Sequence, residues 1–223
     1  MRVLVICAHP DDEVLGAGGT IARHARDGDE VHVVTIATGV LSRGGDPAVL
    51  ARELERLQQD ARRAAASLGV REITLGDLED QRLDVLPKLD IARAVEAHIE
   101  RLRPDLGYTN HYGDLNADHR AVFEAVLTAV RPGPTLSVRR VLAFEVASST
   151  EWSVPYRFSP TVFVDVADTI ESKLAAMELY TGEIRPFPHP RSREALRAIS
   201  KRWGSVAGLG DAEAFELIRE IQR

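Results

Sequence analysis

Short apolar runs alternate with longer amphipathic segments along most of this chain. The first run, residues 1–8 (MRVLVICA), is rich in Val, Leu and Ile, which is typical of a strand buried on both faces of a parallel sheet. Further strands are predicted over 30–37, 70–75, 105–109, 138–146 and 161–166, and helices over 14–27, 48–68, 88–102 and 118–130. The alternation predicts an α/β fold with a mainly parallel sheet, right-handed crossovers and helices on both faces.

The last third of the chain is predicted to be mostly helical, over 168–181, 191–203 and 211–222. The length of 223 residues fits one domain, and no repeat or convincing linker interrupts it. We therefore expect a single domain over 1–223 with a helical C-terminal part from about 168 to 223.

Charge and cysteine content limit the partners and the compartment. Lys and Arg number 28 against 34 Asp and Glu, which gives a net charge of -6. Nucleic acids and anionic membranes need a basic face, so we expect neither as a partner. The single cysteine, Cys7, excludes an intrachain disulfide and a cysteine-built zinc site.

The N-terminal segment does not have the pattern of a signal peptide. Acidic residues follow directly after the first apolar run, so the apolar region is too short, and we expect a cytoplasmic protein.

Two segments rich in His and Asp follow predicted strands. Residues 9–13 (HPDDE) follow the first strand, and residues 111–119 (HYGDLNADH) follow the fourth. In open α/β sheets, ligands bind beyond the carboxyl ends of the strands. Both segments are therefore predicted to lie at the functional edge of the sheet.

These segments offer ligands for a divalent metal. The three consecutive acids of the first segment repel one another, and a cation would offset that cost. His9 and Asp12 can converge across a tight turn, and His119 adds a third ligand. Two His and one carboxylate leave an open position, as a catalytic zinc needs, and they also suit iron(II). The alternative is that Asp12 and Glu13 cap the first helix, but capping does not explain His9.

The two segments, together with the stretch between them, resemble a known family. The block AHPDDE at 8–13, the stretch GAGGTIARHARDGDEVHVVTIATG at 16–39 and the DH pair at 118–119 look like the LmbE-like (PIG-L) family of zinc-dependent N-deacetylases. The resemblance implies a Rossmann-like α/β fold and the removal of acetyl groups from N-acetylated amino sugars and related glycosides. It also implies a homo-oligomer.

The resemblance implies roles for matching positions. It makes His9, Asp12 and His119 the zinc ligands and Asp11 the general base. Asp118, next to His119, is a candidate for supporting a ligand or orienting a neighbouring group.

One position departs from the family pattern. Many relatives carry a histidine three residues before the last ligand, where this chain has Asn116. Asn can donate a hydrogen bond to an oxyanion but cannot shuttle a proton. Either Asp11 performs both proton transfers, or His111 or His189 supplies a second acid.

Other polar residues are weaker candidates for substrate binding. They are Arg52, Asp80, Arg82, Trp152, His189 and Arg191. Each has an ordinary alternative: surface pairing along a helix for Arg52, a loop ion pair for Asp80 with Arg82, and core packing for Trp152. Residues 186–192 equally fit a solvated loop.

The combined pattern predicts a zinc-dependent hydrolase with a small-molecule substrate. It would remove an N-acetyl group from an amino sugar, or from a small glycoside or nucleotide-linked sugar. Two alternatives stay open. One is an amidase acting on thiol- or antibiotic-type conjugates, and the other is a metal- or sugar-binding protein without turnover.

Overall fold

The computed structural model describes residues 1–134 and 136–222, and these form one seven-stranded sheet flanked by helices. The strands are β1 (Arg2–Cys7), β2 (Glu30–Thr35), β3 (Glu72–Thr74), β4 (Leu106–Asn110), β5 (Arg140–Phe144), β6 (Val162–Asp165) and β7 (Ala212–Glu220). The helices are α1 (Asp12–Arg26), α2 (Pro47–Ser67), α3 (Lys88–Leu102), α4 (Ala117–Ala129), α5 (Ile170–Leu179) and α6 (Arg193–Ala207). Short 3₁₀ helices lie over Leu41–Arg43, Leu83–Val85 and Thr150–Trp152.

The strand order is β3-β2-β1-β4-β5-β7-β6. The five strands from β3 to β5 run parallel, whereas β7 is antiparallel to both β5 and β6. The predicted α/β fold with a mainly parallel sheet is therefore confirmed. Strands β1 and β4 are neighbours at the centre, so the segments that follow them leave the sheet side by side.

Both faces of the sheet are covered by helices. Along β1, Val3, Val5 and Cys7 face the core shared with α1, α2 and α5, whereas Leu4 and Ile6 face the core shared with α3 and α4. This alternation on two apolar faces explains why the first strand has a continuous apolar sequence.

The predicted helix over 211–222 is wrong, because residues 212–220 form β7. The segment is rich in Ala, Glu, Leu and Arg, which favour helices in isolation. In the fold it fills the gap between β5 and β6, and its side chains alternate between faces: Phe215 packs with the core of α1, and Ala214 packs beside Trp203. Tertiary pairing has overridden local propensity.

Helix α1 packs unusually close to the sheet. A Cβ on Gly16 would collide with the ring of Phe144 in β5, so only glycine allows this approach. Gly16 thus serves the packing of α1 against the sheet. None of the helices described is both long enough and apolar enough to cross a membrane.

Candidate active site

The turn between β1 and α1 carries the first half of the site. Asp11 is the N-cap residue of α1 and has φ 109°, a conformation that is costly for a residue with a Cβ. Its backbone N–H donates to Glu13 Oε2 at 3.0 Å, and Tyr180 at the end of α5 donates to Glu13 Oε1. Glu13 is fully buried, and burial raises its pKa to about 7. Glu13 therefore stabilises the turn through its contacts with the Asp11 backbone and Tyr180.

Three predicted metal ligands meet beside this turn. His9 Nδ1 lies 3.3 Å from His119 Nε2 and 3.7 Å from Asp12 Oδ2, and His119 Nε2 lies 3.4 Å from Asp12 Oδ1. A tetrahedral set with bonds of about 2.1 Å has ligand-to-ligand edges of about 3.4 Å. The spacing of these three side chains therefore fits a small divalent ion.

The outer nitrogens of both histidines face carboxylates. His9 Nε2 lies 2.9 Å from Asp118 Oδ2, which also accepts from the backbone N–H of Gln81. His119 Nδ1 lies 3.1 Å from Asp114 Oδ2, without the alignment of a full hydrogen bond. Carboxylates favour protons on the outer nitrogens, which leaves the two inner nitrogens as facing lone pairs. A positive charge between the rings, either a proton on one of them or a bound metal ion, satisfies such a buried pair of acceptors.

The charges around His119 also favour a positive charge between the two rings. Burial disfavours its protonated form, but the carboxylates of Asp12 and Asp114 outweigh burial and raise its pKa to about 9. Asp12 is fixed in turn, because its Oδ2 accepts from the backbone N–H of His9 at 3.0 Å and from Asn110 Nδ2 at 3.2 Å. The site thus attracts positive charge at a defined position.

Asp11 lies next to this set and is bound by Arg191. The Nη1 of Arg191 donates to Asp11 Oδ2 at 2.7 Å and to Glu183 Oε2 at 2.9 Å, and its Nε donates to Ser148 Oγ at 2.7 Å. Burial raises the pKa of the Asp11 carboxyl well above its ordinary value, although the guanidinium opposes that effect. The result is a buried carboxyl group with a shifted pKa beside the metal ligands, a combination typical of catalytic acids and bases.

His9, Asp11, His119 and Arg191 line one cavity of about 220 Å³ at the carboxyl edge of the sheet. Asn116 is in the lining, and its Oδ1 caps α4 by accepting from the backbone N–H of Asp118 at 2.9 Å. Its Nδ2 is left as a donor. A larger cavity of about 650 Å³ lies at the opposite edge, around Tyr108 and His24, away from the metal ligands. The site is therefore identified by its metal ligands and carboxyl groups, and not by the volume of its cavity.

Several predicted residues lie elsewhere. His111 is fully buried, with Nδ1 accepting from the backbone N–H of Gly113 and Nε2 lying 2.9 Å from Glu216, so it links β4 to β7 and does not line the cavity. Arg52 is exposed on α2. Arg82 is also exposed and lies 3.6 Å from Glu79. For these three residues the structure does not support a place in the site.

Three other candidates lie at or near the cavity in unexpected roles. Asp80 lines it, but its oxygens already accept from Thr38, Ser42 and the backbone N–H of Leu41, so it organises that loop rather than pairing with Arg82. The ring of Trp152 is half exposed, not in the core, and packs edge-on against His189. His189 Nδ1 accepts from the backbone N–H of Arg191 at 3.1 Å and so shapes the loop that holds this arginine.

The sequence reasoning missed several residues of the site. Asp114, behind His119, lies within the quoted segment 111–119 but received no role. The expectation that each metal-binding histidine has a carboxylate partner could have identified it. Asn110, Arg43 and Glu183 carried no such signal, because their contacts depend on loops brought together by the fold.

Known proteins resemble this chain in sequence and in fold. The family model described as PIG-L, GlcNAc-PI de-N-acetylase, matches residues 4–130. A protein of Escherichia coli (strain K12) named uncharacterized deacetylase YaiS is 30% identical over 79% of this chain and 88% of its own length. Diacetylchitobiose deacetylase of Thermococcus kodakarensis is 27% identical over 99% of this chain and 84% of its own length.

A solved structure adds information on the fold alone. GalB, the 4-carboxy-2-hydroxymuconate hydratase from Pseudomonas putida KT2440, aligns with a TM-score of 0.78 at 22% identity, covering 100% of this chain and 98% of its own. Because one fold can host different reactions, activity follows from the sequence relatives and the site and not from the fold. Those define an enzyme of the N-deacetylase class. The chain belongs to the PIG-L (LmbE-like) family, as its motifs indicate.

Proposed function

We propose that this protein is a zinc-dependent hydrolase that removes the N-acetyl group from an amino sugar or a small glycoside. The observation that carries the proposal is the set His9, Asp12 and His119 at tetrahedral spacing. Asp11 lines the same cavity as the two histidines. The match to a family described by a de-N-acetylase, and the similarity to a diacetylchitobiose deacetylase, support an N-acetylated sugar as the substrate.

Zinc is the metal that best fits this donor set. Two imidazoles and one carboxylate match the three protein ligands of catalytic zinc sites, with a further position left open. Zinc held there supplies Lewis acidity, which activates water near neutral pH and polarises the amide carbonyl. Metal analysis of protein purified without added metal tests this choice, and iron(II) is the outcome that would replace zinc.

Asp11 is the residue that would move protons. Its carboxyl lines the cavity, and the metal ligand Asp12 follows it directly in the chain. In its ionised form it accepts a proton from the attacking water, and in its protonated form it passes that proton to the leaving nitrogen. Asp80 and Glu183, the other carboxylates of the lining, accept from neighbouring donors with both oxygens, whereas among the described residues Asp11 accepts with Oδ2 alone. We therefore assign both proton transfers to Asp11.

Asn116 would stabilise charge in place of the histidine of many relatives. Its Oδ1 is held by the helix cap, which orients the Nδ2 donor group. A donor fixed before the reaction begins can bind the oxygen on which negative charge develops without reorganisation. His111 cannot share this role, because both its ring nitrogens are engaged outside the cavity.

The test of this mechanism is Asp11→Asn. We expect metal content to be retained and acetate release from a diacetylchitobiose probe to fall by about 10²-fold or more, because general acid–base catalysis contributes about that much. Asp168→Asn, at an exposed carboxylate on the surface, is the matched control and should leave the rate unchanged. Full activity of metal-loaded Asp11→Asn would overturn the assignment.

A further inference from the structure

Alternating charges connect the surface to Asp11 through two loops. Arg43 Nη2 donates to Glu183 Oε1 at 2.6 Å, and Arg191 Nη1 donates to Glu183 Oε2 at 2.9 Å and to Asp11 Oδ2 at 2.7 Å. The order is therefore Arg43, Glu183, Arg191, Asp11. All four residues line the same cavity as the metal ligands His9 and His119.

Glu183 occupies the central place in this chain of contacts. It follows α5, and its side chain is only 9% exposed. Each of its two oxygens is held by a different arginine, and these arginines supply the guanidinium groups of the cavity lining. Hydrogen bonds between charged groups in a buried setting are strong and hold their partners in place.

The balance of charge in the lining follows from this pairing. Two arginines face the carboxylates of Asp11, Asp80 and Glu183. Neither arginine is left as an uncompensated cation, and Asp80 is enclosed by its own hydroxyl and N–H donors. A phosphate or carboxylate on a substrate would have to displace Glu183 from an arginine, or lie close to carboxylates that repel it.

We infer that Glu183 is a specificity-determining residue, which neutralises Arg43 and Arg191 and so restricts the site to N-acetylated sugars without an anionic group beside the reacting ring. This inference rests on the proposed deacetylase function and narrows it. Neutral glycosides are accepted, whereas sugar phosphates and nucleotide-linked sugars are disfavoured.

The test compares two substrates that differ in charge. Metal-loaded wild-type protein is assayed for acetate release from methyl N-acetylglucosaminide and from N-acetylglucosamine 1-phosphate. We expect kcat/KM to favour the neutral glycoside by at least about 10-fold, the equivalent of about one like-charge contact. Equal use of the two substrates, or preference for the phosphate, overturns the inference.

Two variants should move this ratio in opposite directions. Glu183→Gln keeps the size of the side chain but removes the negative charge that Arg43 and Arg191 share, which leaves Arg191 paired with Asp11 alone. The ratio should therefore shift toward the phosphate by about 10-fold, mainly through KM. Arg43→Gln removes a cation and should shift the ratio further toward the neutral glycoside. Glu178→Gln, at an exposed carboxylate that pairs with Arg193, is the matched control and should leave the ratio unchanged.

A binding measurement separates this inference from the proposed function. Inorganic phosphate is titrated calorimetrically into metal-loaded wild-type protein and Glu183→Gln, since any affinity of phosphate for the metal is common to both. We expect the variant to bind phosphate about 10-fold more tightly. If neither sugar is hydrolysed, the deacetylase proposal fails and this comparison alone decides: tighter binding by Glu183→Gln supports the charge inference, and equal binding overturns it. If Glu183→Gln does not fold, Arg43→Gln decides instead: a shift of the kcat/KM ratio toward the neutral glycoside supports the inference, and an unchanged ratio overturns it.

Discussion

Individual side chains in this site are fixed by partners that lie behind them. Asp118 faces His9, and Asp114 faces His119, so each ring presents one defined nitrogen to the cavity. Asp114 is itself held by the hydroxyls of Ser149 and Thr150. The metal position therefore depends on residues that would never touch the metal.

Replacing Asp114 tests this dependence. Asp114→Asn keeps the shape of the side chain but removes the charge facing His119 Nδ1, and we expect zinc affinity to fall by about 10- to 100-fold. Competition with a chromophoric chelator measures the affinity, with Asp168→Asn again as the control. Unchanged affinity in Asp114→Asn would show that the contact does not orient the ligand.

Single residues also differ in how well sequence could place them. His9, Asp12 and His119 belong to short segments that follow neighbouring strands, so the rule for strand ends was enough to predict that they meet. Arg191 is 180 residues from Asp11, and no periodicity or spacing relates the two. Its contact with Asp11 exists because the loop after α5 folds back over the turn between β1 and α1.

Among the elements, β7 contributes a buried charged residue to the packing of α1. Its Glu213 is buried, accepts from the backbone N–H groups of Gly19 and Thr20 in α1, and pairs with Lys173 Nζ at 2.6 Å. Lys173 Nζ also donates to the carbonyl of Leu15. A buried ion pair therefore packs beside the middle of α1, the helix that begins at Asp12.

Removing Glu213 should be costly. Glu213→Ala leaves the buried ammonium of Lys173 without its counter-charge and removes the carboxylate that accepts from two backbone N–H groups. We expect the free energy of unfolding to fall by about 3–5 kcal/mol. Urea denaturation measures the change. Glu220→Ala, at the exposed end of the same strand, should stay within about 0.5 kcal/mol of the wild-type protein. Similar losses for both variants would contradict this account of β7.

The elements show where pattern reasoning fails. Strands β1 to β5 and the helices between them were predictable, because buried parallel strands and amphipathic helices have distinct sequence patterns. For β7 the residues Ala, Glu, Leu and Arg favour a helix, and the strand depends on partners that sequence did not pair with it. The ends of α1 and α6 also differ by one to four residues from the prediction.

At the scale of the whole molecule, one expectation concerns assembly. We predict a homo-oligomer, as the resemblance to the family implies. Light scattering coupled to size-exclusion chromatography measures the mass directly, and a multiple of the chain mass at micromolar concentration is the expected result. A mass equal to one chain would contradict it.

The whole fold brings two distant loops and two strand ends to one cavity, and the central claim is that this cavity performs metal-dependent deacetylation. The most direct measurement is acetate release from methyl N-acetylglucosaminide by protein stripped with a chelator and then titrated with zinc. We predict that activity is lost on stripping and returns up to one zinc per chain, and that Asp11→Asn stays inactive at every zinc concentration. Full activity in the stripped protein would contradict the account.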